Sequence, residues 1–203
     1  MRKEVVKRVN ERCRRLHAWA RRLGAAAGDQ VDPSSSPPPS AWGVESGRAT
    51  DRRLWEVVAA TPAPSARVIE AVSGLRLAGP GPLLERAGND AVEVWVDREL
   101  AAMHALHRAC RVLRRAEWGT RLHAAVAWHV EHTGTENATH RPWAVHVFLL
   151  CGSSDAEFFA SGQLHAVAVE HADGPPDPCT AWILQDAARE LDLAADAADA
   201  RLP

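Results

Sequence analysis

Histidine is the residue type whose placement most invites a chemical reading of this chain. Nine of its ten histidines, His104, His107, His123, His129, His132, His140, His146, His165 and His171, fall between positions 104 and 171. Imidazole titrates near neutrality and is a good ligand for zinc, iron, copper or nickel, so such a cluster suits a metal centre or an acid–base site. The spacings do not follow a metal motif. His129 and His132 stand i, i+3 with Glu131 and Glu136 nearby, but H-E-x-x-H is absent, as are the paired Glu-x-x-His segments of a di-metal helical bundle. No metal site, cofactor or catalytic residue is assigned from the sequence.

Two of these histidines read as helix-end residues: His132 and His171 each lie just ahead of a glycine, where an imidazole bonds backbone carbonyls at the negative end of the helix dipole. His146 differs. It is embedded in WAVHVFLL, residues 143 to 150, a helix apolar nearly all round and hence expected at the centre of the fold, where an imidazole requires a partner. The polar loop TGTENATHR, 133 to 141, runs into that helix. Arg141 and the helix N-terminus together form an arrangement that can hold a small anion; alternatively, Asn137, Thr139 and His140 cap the helix. The ligand-binding candidates are accordingly His123, His129, Arg141, Trp143, His146 and His165.

Other chemistries find no motif. There is no G-x-S-x-G elbow, no Walker A loop and no G-x-G-x-x-G. Cys13, Cys110, Cys151 and Cys179 stand alone, which indicates neither a zinc ribbon nor a disulfide framework and fits reduced thiols in a cytoplasm. Gly79-Pro80-Gly81-Pro82 is a helix break, since prolines remove the N–H groups a phosphate loop requires. Eight tryptophans beside three phenylalanines and no tyrosine supply the large aromatic core volume.

The elements that position the histidines are helices. Asp51 to Ala60 and Ser65 to Leu77 read as short helices and Asp90 to Ala116 as a long one with Val92, Val96, Leu100, Met103, His107 and Cys110 on one face, punctuated by Gly119. Two later segments resemble each other: Leu122-His123-Ala124 leads to Glu131-His132, Gly134, Pro142 and Trp143, and Leu164-His165-Ala166 leads to Glu170-His171, Gly174, Pro178 and Trp182. A repeat near 40 residues is the length of one two-helix unit, so the fold class expected is all-α, with stacked helical hairpins in the manner of an α-solenoid or partial α/α toroid. Ser154 with Glu157 reads as a capping box, Asp177 as an N-cap and Pro142 and Pro178 as first-turn prolines. The last helix, from Pro178 to about Arg201, is expected to turn Ile183, Ala187 and Leu191 inward and its acidic residues outward.

Ahead of this body, Val5, Val9, Cys13, Leu16, Ala20 and Leu23 form one apolar stripe among nine basic residues, a basic amphipathic helix over 1–27. Residues 28–50, with Pro33, Ser34-Ser35-Ser36 and Pro37-Pro38-Pro39, read as a disordered Ser/Pro-rich linker, and 51–203 as the helical-hairpin domain. The net charge of −2 and pI near 6.5 disfavour a nucleic-acid-coating role. No apolar run reaches the 18 residues of a transmembrane segment, and the basic N-terminus lacks a signal-peptide core. Two functions fit: a protein-interaction or scaffold domain whose protein partner engages the basic helix, or a small metal-dependent enzyme or ligand-binding protein with a histidine-lined pocket.

Overall fold

The computed structural model describes residues 65–88, 91–134, 141–174 and 176–199, together with Ala18 and Leu54. The expected basic helix, the linker, the helix over 51–60 and the capping residues Asn137, Thr139 and His140 lie outside the described residues, Ala18 and Leu54 excepted. The described chain is all-helical. It comprises α1 (Ser65–Val72), α2 (Val92–Leu113), α3 (Ala116–His132), α4 (Val145–Cys151), α5 (Ser154–Glu170) and α6 (Pro178–Asp199).

The shortest helix is the hub. α4 packs against α2, α3, α5 and α6, and Val145, His146, Val147, Phe148 and Leu149 are all buried, as its unbroken apolar sequence predicts. Phe148 stacks on Phe159 of α5 with ring centroids 4.3 Å apart. Both ends of α4 are set by left-handed residues, Ala144 at φ 57° and Gly152 at φ 75°. Glycine takes that conformation freely, whereas alanine does so at a steric cost of about 1–2 kcal/mol.

α2 is buried over more than the single stripe its apolar residues suggest. Trp95, Glu99, His104, Leu106 and Arg108 join Val96, Leu100 and Met103 in the interior, because α1, α3 and α4 all pack on it and α6 bonds to it through long side chains. The break after α2 falls at Arg114, left-handed at φ 53°, and not at Gly119, which lies inside α3. α5 is capped one residue earlier than the sequence suggested: the Ser153 hydroxyl accepts from Ala156 N at 3.2 Å. Asp177 caps α6 as expected, its Oδ1 accepting from Cys179 N at 2.9 Å, and Pro178 is the first helical residue, while Pro142 precedes the N-cap of α4 by two positions.

α1 ends at Val72, short of the Leu77 expected, so the Gly-Pro-Gly-Pro segment lies in the irregular stretch beyond the helix instead of ending it; two buried charges hold that stretch in place. Glu99 of α2 accepts from the backbone N–H of Leu83 and, at 2.7 Å, from that of Leu84. Arg121 of α3 donates to the carbonyls of Arg76, Gly81 and Pro82 at 2.8, 2.8 and 2.9 Å. Gly81, at φ 98°, takes a backbone shape that other residues rarely adopt. A carboxylate that receives two buried N–H groups has no substitute in an amide, which turns a donor toward one of them. Glu99→Gln is therefore expected to lower stability by about 1–3 kcal/mol and to speed hydrogen exchange at Leu83 and Leu84.

Candidate functional site

α2 and α6 meet through two rungs of side chains. On α2, His104 and Arg108 are one turn apart, as are His107 and Arg111; on α6, Asp186 and Glu190 are spaced in the same way. His104 Nε2 lies 3.0 Å from Asp186 Oδ2, and Arg108 Nη1 lies 3.4 Å from Asp186 Oδ1. Arg111 grips Glu190 with two parallel bonds, Nε to Oε2 at 2.9 Å and Nη2 to Oε1 at 2.8 Å. His107 Nδ1 stands 3.7 Å from Glu190 Oε2, and Arg189 also donates to Asp186.

Both carboxylates are buried, Asp186 at 0% and Glu190 at 2% exposure. For these two residues this corrects the expectation that the acidic residues of the last helix face outward; Asp192 and Asp196 are exposed, as expected. A signal was present in the sequence, since Asp186 and Glu190 each fall three positions after an inward residue, Ile183 and Ala187, and so share their face. Burial alone would raise the Asp186 pKa, yet the His104 hydrogen bond and the charges of Arg108 and Arg189 hold it below the usual carboxylate value.

A third imidazole completes the cluster. His146 of α4 lies between the two α2 histidines, with ring centroids 4.5 Å from His104 and 4.7 Å from His107, both close to edge-on. Its Nε2 is 3.2 Å from His107 Nδ1, while its Nδ1 is buried with no hydrogen-bond partner. The tautomers follow from these contacts. His104 Nδ1 accepts from Ala144 N at 3.3 Å, so Nε2 carries the proton given to Asp186. For His146, an N–H at Nε2 leaves only a lone pair at the orphaned Nδ1, cheaper than a buried unsatisfied donor; His146 therefore donates to His107. Burial pushes His146 well below its ordinary pKa, with the other two imidazoles and Arg111 adding to the effect. Burial likewise brings His107 down to about 4 against the opposing pull of Glu190.

The sequence candidates separate into four groups. Trp143 and His146 join the cluster, the Trp143 ring edge-on to His104 at 5.4 Å, and Gln163 Nε2 donates to the Trp143 carbonyl at 3.0 Å. His129 belongs elsewhere, its Nδ1 bonded to Thr133 Oγ1 at 2.8 Å and its Nε2 3.5 Å from Glu99 Oε1. His123 and His165 point outward from α3 and α5 and meet neither group. Arg141 is half-buried ahead of α4, and its charge lowers the pKa of Asp177 after burial and the Thr180 and Cys179 bonds have had their effect. His132 bonds the Trp128 carbonyl at 2.9 Å and stacks on that indole, the helix-end role read from the sequence. His104, His107, Asp186 and Glu190 were missed as a site because their convergence joins positions about 80 apart.

Chemically, the arrangement is closed. Both ring nitrogens of His104 are in use, and Glu190 is already neutralised by Arg111. Among the described residues, no group of three His, Cys, Asp or Glu side chains is placed to hold a metal ion. Cys179 is pushed up to about 12 by burial, and Cys110 and Cys151 are also raised, the reverse of what a nucleophilic thiolate needs. Within the cluster, His107, with a fifth of its side chain exposed, is the imidazole that reaches solvent, and its Nε2, like the buried Nδ1 of His146, has no protein partner. Comparison with known proteins matches the chain to no protein family, no curated protein and no solved structure.

Removing His104 leaves the Ala144 N–H and one Asp186 oxygen without partners, so His104→Leu is expected to cost about 3 kcal/mol or more. His146→Leu loses one bond to a partly exposed acceptor and is expected to cost about 1 kcal/mol; urea unfolding of the two variants checks the order. The cluster also sets a pH dependence. His107 and His146 are neutral in the fold but titrate at an ordinary 6.5 when unfolded, so protons favour the unfolded chain. Stability is full above pH 6.5 and falls as pH drops through the window from 6.5 to about 4, where His107 itself protonates. Asp186, lowered from 3.8, adds its loss only below that value. Urea midpoints measured across the window are expected to decline with falling pH, and less steeply in His146→Leu.

Proposed function

We propose that this chain is a helical protein-interaction domain and that the outer face of α5 is where it docks. The observation that carries this reading is a stripe of exposed residues at helical spacing, Phe158, His165 and Val169, with Phe158 72% and Val169 61% exposed. The opposite side of the same helix places Phe159, Leu164 and Val167 in the core. One helix is thus apolar toward the interior and toward solvent, and a second apolar face on a well-packed helix is what a binding surface needs. Ser161, Gly162, Ala166 and Ala168 lie along or beside the stripe, so another helix can approach closely.

In this reading the histidines are structural. His123 and His165 lie outside, His132 secures a helix end, and His104, His129 and His146 are bonded inside. Unpaired Cys110, Cys151 and Cys179 suit a reducing, cytoplasmic setting. A partner recovered with the full chain is expected to be lost on Phe158→Ser with Val169→Ser and kept on Val112→Ser, which removes an exposed apolar residue elsewhere. Equal loss or equal retention in both variants argues against the assignment.

One observation favours a second reading, a small-ligand site at the imidazole cluster: His107 Nε2 is unengaged and His146 Nδ1 is an orphan. Stoichiometric zinc uptake by the full chain, abolished by His107→Ala, supports that reading. Absence of uptake removes its metal-dependent form.

A further inference from the structure

The docking face on α5 carries its own evidence about what fits it. We propose that residues 1–27 of this chain lie along that face, their apolar stripe against Phe158 and Val169. The inference rests on the reading of α5 as a docking surface and names its occupant.

Charge selects among occupants. The apolar stripe is bracketed by carboxylates at both ends: Asp155 and Glu157 in the first turn of α5, and Glu170 and Asp173 at its end. No basic side chain lies in the first or last turn of α5. A second copy of this chain laid on the face meets like charge with either polarity. Antiparallel pairing sets Asp155 and Glu157 against Glu170 and Asp173, and parallel pairing sets each pair against itself. The favoured occupant is an amphipathic helix with a basic rim.

Residues 1–27 have those properties. Arg2, Lys3, Lys7, Arg8, Arg12, Arg14, Arg15, Arg21 and Arg22 stand against only Glu4 and Glu11, and the stripe from Val5 to Leu23 spans about 27 Å as a helix. α5, with 17 residues, is about 25 Å long, so stripe and face match in length. The chain between residue 27 and α1 reaches on the order of 100 Å when extended, enough to bring the segment to any side of the body. Held by its tether, the segment acts at a high effective concentration and competes with any partner that uses the same face.

The test places a photo-crosslinking amino acid at position 158 of the full chain, where exposure makes the replacement compatible with the fold, and maps adducts by mass spectrometry. The expected result is an intramolecular adduct to residues 1–27, independent of protein concentration and reduced several-fold by Arg8→Glu with Arg12→Glu and Arg15→Glu. An adduct to a second copy or to another protein, with none to 1–27, overturns this inference while leaving α5 as a docking face. No adduct at 158 beyond that seen with the crosslinker at position 112 would falsify both. An adduct to 1–27 that the charge reversals leave unchanged overturns the electrostatic basis on which the segment was chosen.

Discussion

Two carboxylates on the last helix set the terms for the rest of the fold. Asp186 and Glu190 are withdrawn from water, and a buried charge is tolerated only when it is paired and hydrogen-bonded. Every pairing group that α6 cannot supply itself comes from α2, one histidine and one arginine for each carboxylate. α2 must therefore be long, straight and deeply placed, with polar groups repeated turn by turn along one side. The arrangement adds little net stability over a well-packed apolar seam. What it adds is register, because a shift of α6 by one turn leaves a charge inside without a partner.

α4 fills the space that this register defines. Its backbone enters through a left-handed alanine whose N–H is held by His104, the same residue whose other nitrogen serves Asp186. One imidazole thus fixes the start of the central helix and the position of the last one. His146, two residues further on, fits between two rings and leaves one of its own nitrogens unsatisfied. The interior accepts that small penalty because the imidazole stays uncharged.

Much of the architecture was legible in the sequence for reasons that are local. Three- and four-residue spacing marked the helices, Asp177 marked the start of α6, and the apolar run 143–150 marked the centre, whereas α1 stops at Val72, ahead of the glycines and prolines at 79–82 that were expected to end it. What was not legible depended on distance. A buried Asp186 cannot be told from a solvated one until His104 and Arg108 are known to face it, and the same holds for Glu99 and the two N–H groups it receives. His123 and His165 were attractive because they repeat, yet repetition placed both on outer surfaces. Left-handed Arg114 and Ala144 also gave no warning, because neither residue type advertises that conformation as glycine does.

The pairing of α2 with α6 also has a consequence for biosynthesis. Asp186 follows its partner His104 by 82 residues, so on the ribosome α2 emerges well before the carboxylates that its histidines and arginines pair with. During that interval α2, α3 and α4 can associate only loosely, with cationic groups still hydrated and the interior incomplete. Final consolidation waits for the last helix to leave the exit tunnel.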